Sequence, residues 1–224
     1  MDVTYNVDRQ NMAGYYLKNI PLASGQPEPR LPPECPMAYP QTAPFKQMQG
    51  HHHGQGHNLP DIPYPPVKVR RPNPAYACML QRAYTGQVSE FTAIAQYFYH
   101  HVMLKECYPE ASKILEEIMI QEMRHLEMLA ECIVKLGGDP VLAVPKGRCP
   151  QWWRGDIPDY SKYLQLMILK DIQAEYAAIA EYQRIIRCID DECVIALLER
   201  IILDEEEHIR LLKGILEWYW ADKK

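Results

Sequence analysis

Glu90-Phe-Thr-Ala-Ile-Ala-Gln-Tyr97 recurs as Glu175-Tyr-Ala-Ala-Ile-Ala-Glu-Tyr182. Each copy is followed by a Glu-x-x-His: Glu122 to His125, 32 residues after Glu90, and Glu205 to His208, 30 residues after Glu175. On an α-helix residues i and i+3 share a face, so each Glu-x-x-His offers an oxygen and a nitrogen ligand side by side. A glutamate from each of two helices plus a Glu-x-x-His from each of two others is the ligand set of two-metal sites inside four-helix bundles. One Glu-x-x-His is common on solvated helices. The duplicated arrangement is different, because four carboxylates and two imidazoles facing one core need cations to neutralise them.

Within this set Glu175 is preferred to Asp171 and Glu181 because it alone aligns with Glu90. Glu205 belongs to the acidic run Asp204 to Glu207, which suits a solvated face, and only its i−3 relation to His208 picks it out. Tyr97 and Tyr182 follow their glutamates by two helical turns and face the same interior. They are the candidate catalytic side chains: a tyrosine beside a redox metal can hydrogen-bond a carboxylate ligand or supply an electron, although a buried tyrosine more often packs with its hydroxyl satisfied.

Composition changes at Pro74. Of 19 prolines, 14 fall at or before it, in runs such as PEPRLPPECP and DIPYPPVKVRRPNP. Such a segment cannot form a bundle helix. The composition suits a disordered segment, but its Tyr5, Tyr15, Tyr16, Leu17, Ile20, Tyr39, Phe45 and Tyr64 are more apolar anchors than a solvated linker needs, so an extended arm ordering against a partner subunit is the alternative. His51, His52, His53 and His57 in its Gly-rich stretch form either a weak metal-collecting cluster or a solvated loop.

After Pro74 the periodicity is helical throughout. A first helical segment is expected over about Tyr76 to Glu106, with Leu80, Tyr84, Gln87, Glu90, Ile94, Tyr97 and His101 spaced by threes and fours. A second, from about Glu110 to Leu136, stops at Gly137-Gly138-Asp139-Pro140. Residues 141–160 read as irregular. A third helix is expected from about Ser161 to Cys188, and a fourth from Asp190 and Asp191 to about Tyr219. Connections that run short, long, short imply two antiparallel hairpins joined by a crossover, as in ferritin-like bundles. The fold class is therefore all-α: an extended arm over residues 1–74, then a four-helix bundle over residues 75–224.

The net charge of -5 gives no electrostatic reason to expect nucleic acid. No apolar run of about 18 residues suggests a membrane span, and the start lacks the order of a secretory signal, so a soluble, cytoplasmic protein is expected. Seven cysteines without a Cys-x-x-Cys argue against both a disulfide framework and a thiolate zinc site.

The motifs carry a resemblance. EFTAIAQYFYHHVMLKE resembles the first helix of bacterioferritins, and IMIQEMRHLEMLAECIVKLGGDP the second helix of bacterioferritins and manganese catalases. DEEEHIRLL is similar to the last helix of bacterioferritins and rubrerythrins. The resemblance covers about two thirds of the chain and is specific for the ferritin-like superfamily rather than for one family within it. It implies two Fe or two Mn ions per chain, with Glu90, Glu122, His125, Glu175, Glu205 and His208 as ligands and Glu122 and Glu205 as bridging or supporting carboxylates. Met123 stands where bacterioferritins place a haem-ligating methionine. Methionine is a common core filler, and no haem is expected.

The implied activity is a dimetal oxidoreductase acting on dioxygen or hydrogen peroxide, of ferroxidase, peroxidase or manganese-catalase type, in a homo-oligomer. Rubrerythrins usually append a rubredoxin-like domain with two Cys-x-x-Cys pairs, which this sequence lacks, so an external electron donor is implied. The long proline-rich arm departs from storage ferritins and is closer to manganese catalases and related spore-coat proteins. A second class stays open: a coat or scaffold protein, in a spore coat or another internal assembly, whose bundle is structural and whose arm drives assembly.

Overall fold

The computed structural model describes residues 62–146 and 149–221. The tyrosine and leucine anchors before Tyr64 and the histidines 51–57 lie outside the described residues. Five helices and one small hairpin follow a stretch of extended chain at residues 62–73.

Helix α1 (Pro74–Thr85) starts where Asn73 Oδ1 accepts hydrogen bonds from the amides of Ala75 and Tyr76, at 3.1 and 3.3 Å, with Pro74 at the first helical position. Helix α2 (Glu90–Leu104) starts at Ser89, whose Oγ accepts from Thr92 N at 3.3 Å. The single first segment expected from the periodicity is thus two helices. The break is local chemistry: Gly86 leaves the helix, and its carbonyl accepts from Ser89 Oγ and Thr92 Oγ1 at 2.8 and 2.9 Å. Gln87, spaced as an inward residue, lies exposed in this break.

Helix α3 (Pro109–Lys135) closes as the glycines require. Gly137 takes φ +88°, and Gly138 N bonds back to Ile133 O at 2.8 Å. A Cβ on Gly138 would stand 2.8 Å from Ala77 Cβ, so this glycine also lets α1 close on the end of α3. The crossover holds an antiparallel hairpin, β1 (Ala143–Lys146) with β2 (Cys149–Trp152), where irregular chain was expected. Pro145 and Pro150 face each other in it, and a two-stranded ribbon with prolines carries little strand pattern to read.

Helices α4 (Leu164–Ile186) and α5 (Glu192–Ala221) complete the bundle, α5 starting where Asp191 Oδ1 accepts from Cys193 N and Val194 N. α2 packs along α3 and α4 along α5, and the hairpins meet through α2 with α4 and α3 with α5. This is the expected four-helix bundle of two hairpins and a crossover. Its apolar core gathers Leu80, Leu129, Ile133, Ile185, Leu197 and Ile201 at the end where α1 seals it.

The extended chain 62–73 lies on the bundle. Val67 and Val69 pack against the core, and Arg70 N donates to Asp191 Oδ2 at 2.7 Å. No described helix is long and apolar enough to cross a membrane. Cys78, Cys132, Cys149, Cys188 and Cys193 are free thiols, whereas Cys107 is disulfide-bonded.

Candidate metal centre

Glu90 opens α2, Glu122 and His125 sit in the middle of α3, Glu175 in α4, and Glu205 and His208 in α5. All six are buried, His125 completely. Their ligand-type atoms form two groups, each lying within 4.8 Å: Glu90, Glu122, His125 and Glu205, and Glu122, Glu175, Glu205 and His208. Glu122 and Glu205 belong to both. The residues aligned by the repeat therefore meet across the bundle, with one glutamate and one histidine private to each group.

The hydrogen-bond count shows why cations fit. His125 Nδ1 has carboxylate oxygens of Glu122, Glu205 and Glu90 at 3.0, 3.4 and 3.8 Å. His208 Nδ1 has Glu122 and Glu205 at 3.0 Å each and Glu175 at 3.6 Å. One N–H cannot serve three acceptors. Glu122 Oε1 and Glu205 Oε1 accordingly find no well-directed hydrogen bond among the described residues, although imidazole nitrogens stand close by. A buried cluster with more lone pairs than protons is a donor set for hard cations that also accept imidazole, such as iron and manganese.

Burial and like charge set the protonation of the metal-free cluster. Desolvation, then the charges of Glu122 and Glu205, push Glu90 and Glu175 well above the carboxylate range, with a hydrogen bond to Glu122 adding to the shift of Glu90. Burial also works to raise Glu122. The hydrogen bond with Glu90 and the charge and hydrogen bonds of His208 and His125 outweigh it and hold Glu122 well below that range. Burial disfavours charge on the two imidazoles, yet the surrounding carboxylates raise His125 and His208 well above the usual histidine value.

The candidate tyrosines differ. Tyr97 OH donates a short hydrogen bond to Glu175 Oε1, and burial followed by the Glu175 charge raises its phenol well above the ordinary value. Tyr182 is equally buried but lies in the apolar core, where its hydroxyl finds no hydrogen-bond partner among the described residues. Met123 is exposed on α3 rather than filling the core. Trp153 braces the crossover on α2, stacked edge-on against Phe91 and donating to Thr92 Oγ1 at 3.0 Å.

A cleft of about 420 Å³ between α2 and α4 leads to the cluster; Glu90, Glu122, Glu175 and Glu205 line its floor, and Ala93 and Ala174 leave room in its walls.

Several partners escaped the sequence reading. Asp204, in the run that suits a solvated face, is fully buried, 3.1 Å from His125 Nε2, and held down to about 2: burial opposes this, but hydrogen bonds from His125, Arg200 and Tyr64 prevail. The repeat could not find it, because the matching position in the other copy is Gln121. Tyr64, on the extended chain, donates to Asp204 Oδ2 at 2.5 Å. Asp171, passed over in favour of Glu175, is fully buried and bound to His100 Nδ1 at 2.9 Å and Gln96 Nε2 at 2.8 Å. Helical spacing was the available signal, since Asp171 lies one turn before Glu175 and His100 nearly one turn after Tyr97.

The family model for the ferritin-like domain matches residues 86–218, more than half of the chain. The chain belongs to the ferritin-like domain family. This ferritin-like chain is 27% identical over 169 residues to a Clostridium acetobutylicum protein named probable manganese catalase, covering 67% of this chain and 74% of the relative. It is 31% identical over 129 residues to the bacterioferritin of Mycobacterium leprae, covering 56% and 75%. Among solved structures it superposes on KatB, a manganese catalase from Anabaena PCC7120, with a TM-score of 0.64 at 20% identity over 72% of this chain and 80% of that one. At that identity the superposition shows the fold.

Proposed function

We propose that this ferritin-like chain is a homo-oligomeric dimetal oxidoreductase that holds two iron or two manganese ions and acts on dioxygen or hydrogen peroxide. The observation that carries the reading is the convergence of six buried ligand-type side chains in two groups sharing Glu122 and Glu205. In this reading Glu90 and His125 would hold one ion and Glu175 and His208 the other, with Glu122 and Glu205, which belong to both groups, available to both. The bound ions supply a shared two-electron change. The relatives named manganese catalase and bacterioferritin support both metals.

The protein's own groups do the rest. Tyr97, donating to Glu175 Oε1, orients that carboxylate and is the side chain best placed to pass a proton or an electron to the reacting atoms. Tyr182, whose hydroxyl meets no described carboxylate, packs. The cleft between α2 and α4 admits the oxidant. Exposed Phe98 and Val102 on α2 and Ile120 and Met123 on α3 support association between copies. In the same proposal the bundle occupies residues 75–224, reducing equivalents come from an external donor, and the setting is cytoplasmic.

The test is elemental analysis of protein from its own source, followed by an oxygen electrode. Manganese with oxygen released from peroxide supports the catalase type. Iron with consumption of dioxygen or peroxide supports the ferroxidase or peroxidase type. Protein holding neither metal and turning over neither oxidant overturns the reading in favour of a coat or scaffold.

A further inference from the structure

The repeat would make the two halves of the centre alike, but the surroundings of the two imidazoles differ. Both rings turn Nδ1 toward the carboxylates. The outer nitrogen of His125, Nε2, lies 3.1 Å from Asp204 Oδ2. The outer nitrogen of His208 has no hydrogen-bond partner among the described residues. The residue before each motif glutamate is Asp204 in one copy and Gln121 in the other.

Tyr64 stands at this point of difference. Its hydroxyl donates to Asp204 Oδ2 at 2.5 Å, accepts from Gln121 Nε2 at 3.3 Å, and lies 3.4 Å from His125 Nε2. Its ring lies under the Arg200 guanidinium, 4.4 Å from ring centroid to Cζ. Arg200 in turn pairs with Asp204 Oδ1 at 2.7 Å and donates from Nε to Ile62 O at 2.8 Å. The chain holding Tyr64 is Ile62-Pro63-Tyr64-Pro65-Pro66. Prolines on both sides restrict its backbone, so little conformational entropy is lost in placing the ring.

We propose that Tyr64 is a positioning residue that, through Asp204, fixes the ring of His125 and makes the two metal positions unequal, the His125 position being the tighter. A carboxylate on the outer nitrogen of a ligating histidine sets its tautomer and orientation and raises the basicity of the ligating nitrogen, and losing such a partner costs 10- to 100-fold in metal affinity. Tyr64 hydrogen-bonds Asp204 Oδ2 and the Arg200 guanidinium stands in ion-pair range of Oδ1, so both oxygens of the carboxylate are engaged while it faces the ring. His208 has no such support among the described residues. The extended segment outside the bundle is thereby part of the centre without supplying a ligand.

This inference rests on the dimetal reading above, and its test separates the two. The metal-free full-length protein is titrated anaerobically with Mn(II) by calorimetry, as wild type, Tyr64→Phe and Asp204→Asn. Wild type is expected to bind two ions with two affinities. Tyr64→Phe should weaken the tighter class by about tenfold, the lower end of the outer-partner range because it acts one bond further out, and leave the weaker class in place. Asp204→Asn should weaken the same class at least as much. A merely structural role would move both classes or neither, and either outcome in Tyr64→Phe overturns the proposal, as do two equal affinities in wild type. Wild type that binds fewer than two ions fails in stoichiometry rather than in affinity, and overturns the dimetal reading together with this one.

Discussion

Removing the metals should reverse the pH dependence of stability. In the metal-free protein Glu90 and Glu175 are raised well above the carboxylate range, and His125 and His208 well above the histidine range. A group whose pKa is higher folded than unfolded stabilises fully below its unfolded value and loses that contribution as pH rises through its folded value. For the glutamates the loss begins above about 4.5, and for the histidines above about 6.5. Asp204, held down to about 2, and Glu122 act in the opposite sense, losing their contribution only in acid as pH falls. Between pH 6 and 8 the folded metal-free chain therefore holds more protons than the unfolded one. Each excess proton costs about 1.4 kcal/mol of stability per pH unit. A net excess of one proton corresponds to about 3 kcal/mol over this range, or about 6 to 12 °C in Tm for a domain of this size. Bound metal ions displace those protons, so the loaded protein should hold or gain stability as pH rises. Thermal or urea melts of chelated and reloaded protein at pH 6, 7 and 8 measure both slopes. A metal-free protein whose stability is flat or rises with pH would refute the argument from buried, mutually repelling carboxylates.

Leu129→Ala opens a hole in a fully buried position of the core and should cost about 2 to 5 kcal/mol in urea unfolding, with metal stoichiometry unchanged in protein that stays folded. Tyr97→Phe removes the donor to Glu175 and leaves a buried acceptor unsatisfied. It should destabilise the metal-free protein by about 1 to 3 kcal/mol, measured by thermal unfolding, and a neutral effect would show that the short hydrogen bond carries no weight.

The bundle and its six converging side chains were legible because two independent regularities coincide: helical spacing, which puts Glu and His three apart on one face, and duplication, which says which of several acids face inward. Glu205 illustrates this, since its i−3 relation to His208, repeating that of Glu122 to His125, separates it from Glu206 and Glu207, and it proves buried. The same device hid Asp204. Its counterpart is Gln121, so alignment passed over a fully buried carboxylate. Tyr64 was unreadable for another reason: its partner lies 140 residues away, and nothing local in a proline-rich run says which tyrosine reaches a distant aspartate. The break between α1 and α2 was missed because both helices present inward faces whose spacing continues across it, while Gly86 and Ser89 end one and begin the other through short-range hydrogen bonds. The difference between Tyr97 and Tyr182 likewise depends on what stands opposite each ring, a carboxylate for one and apolar side chains for the other.

The central claim is that the buried glutamates and histidines of the two repeats hold a pair of metal ions, and metal content per chain tests it most directly. Wild type and a His125→Ala, His208→Ala double variant are loaded with Fe(II) anaerobically or with Mn(II), freed of excess metal and analysed for metal and protein, with circular dichroism confirming that the double variant keeps its helices. The account predicts two ions per chain in wild type and loss of both in the variant. Equal occupancy in the two proteins, or none in wild type, would contradict it.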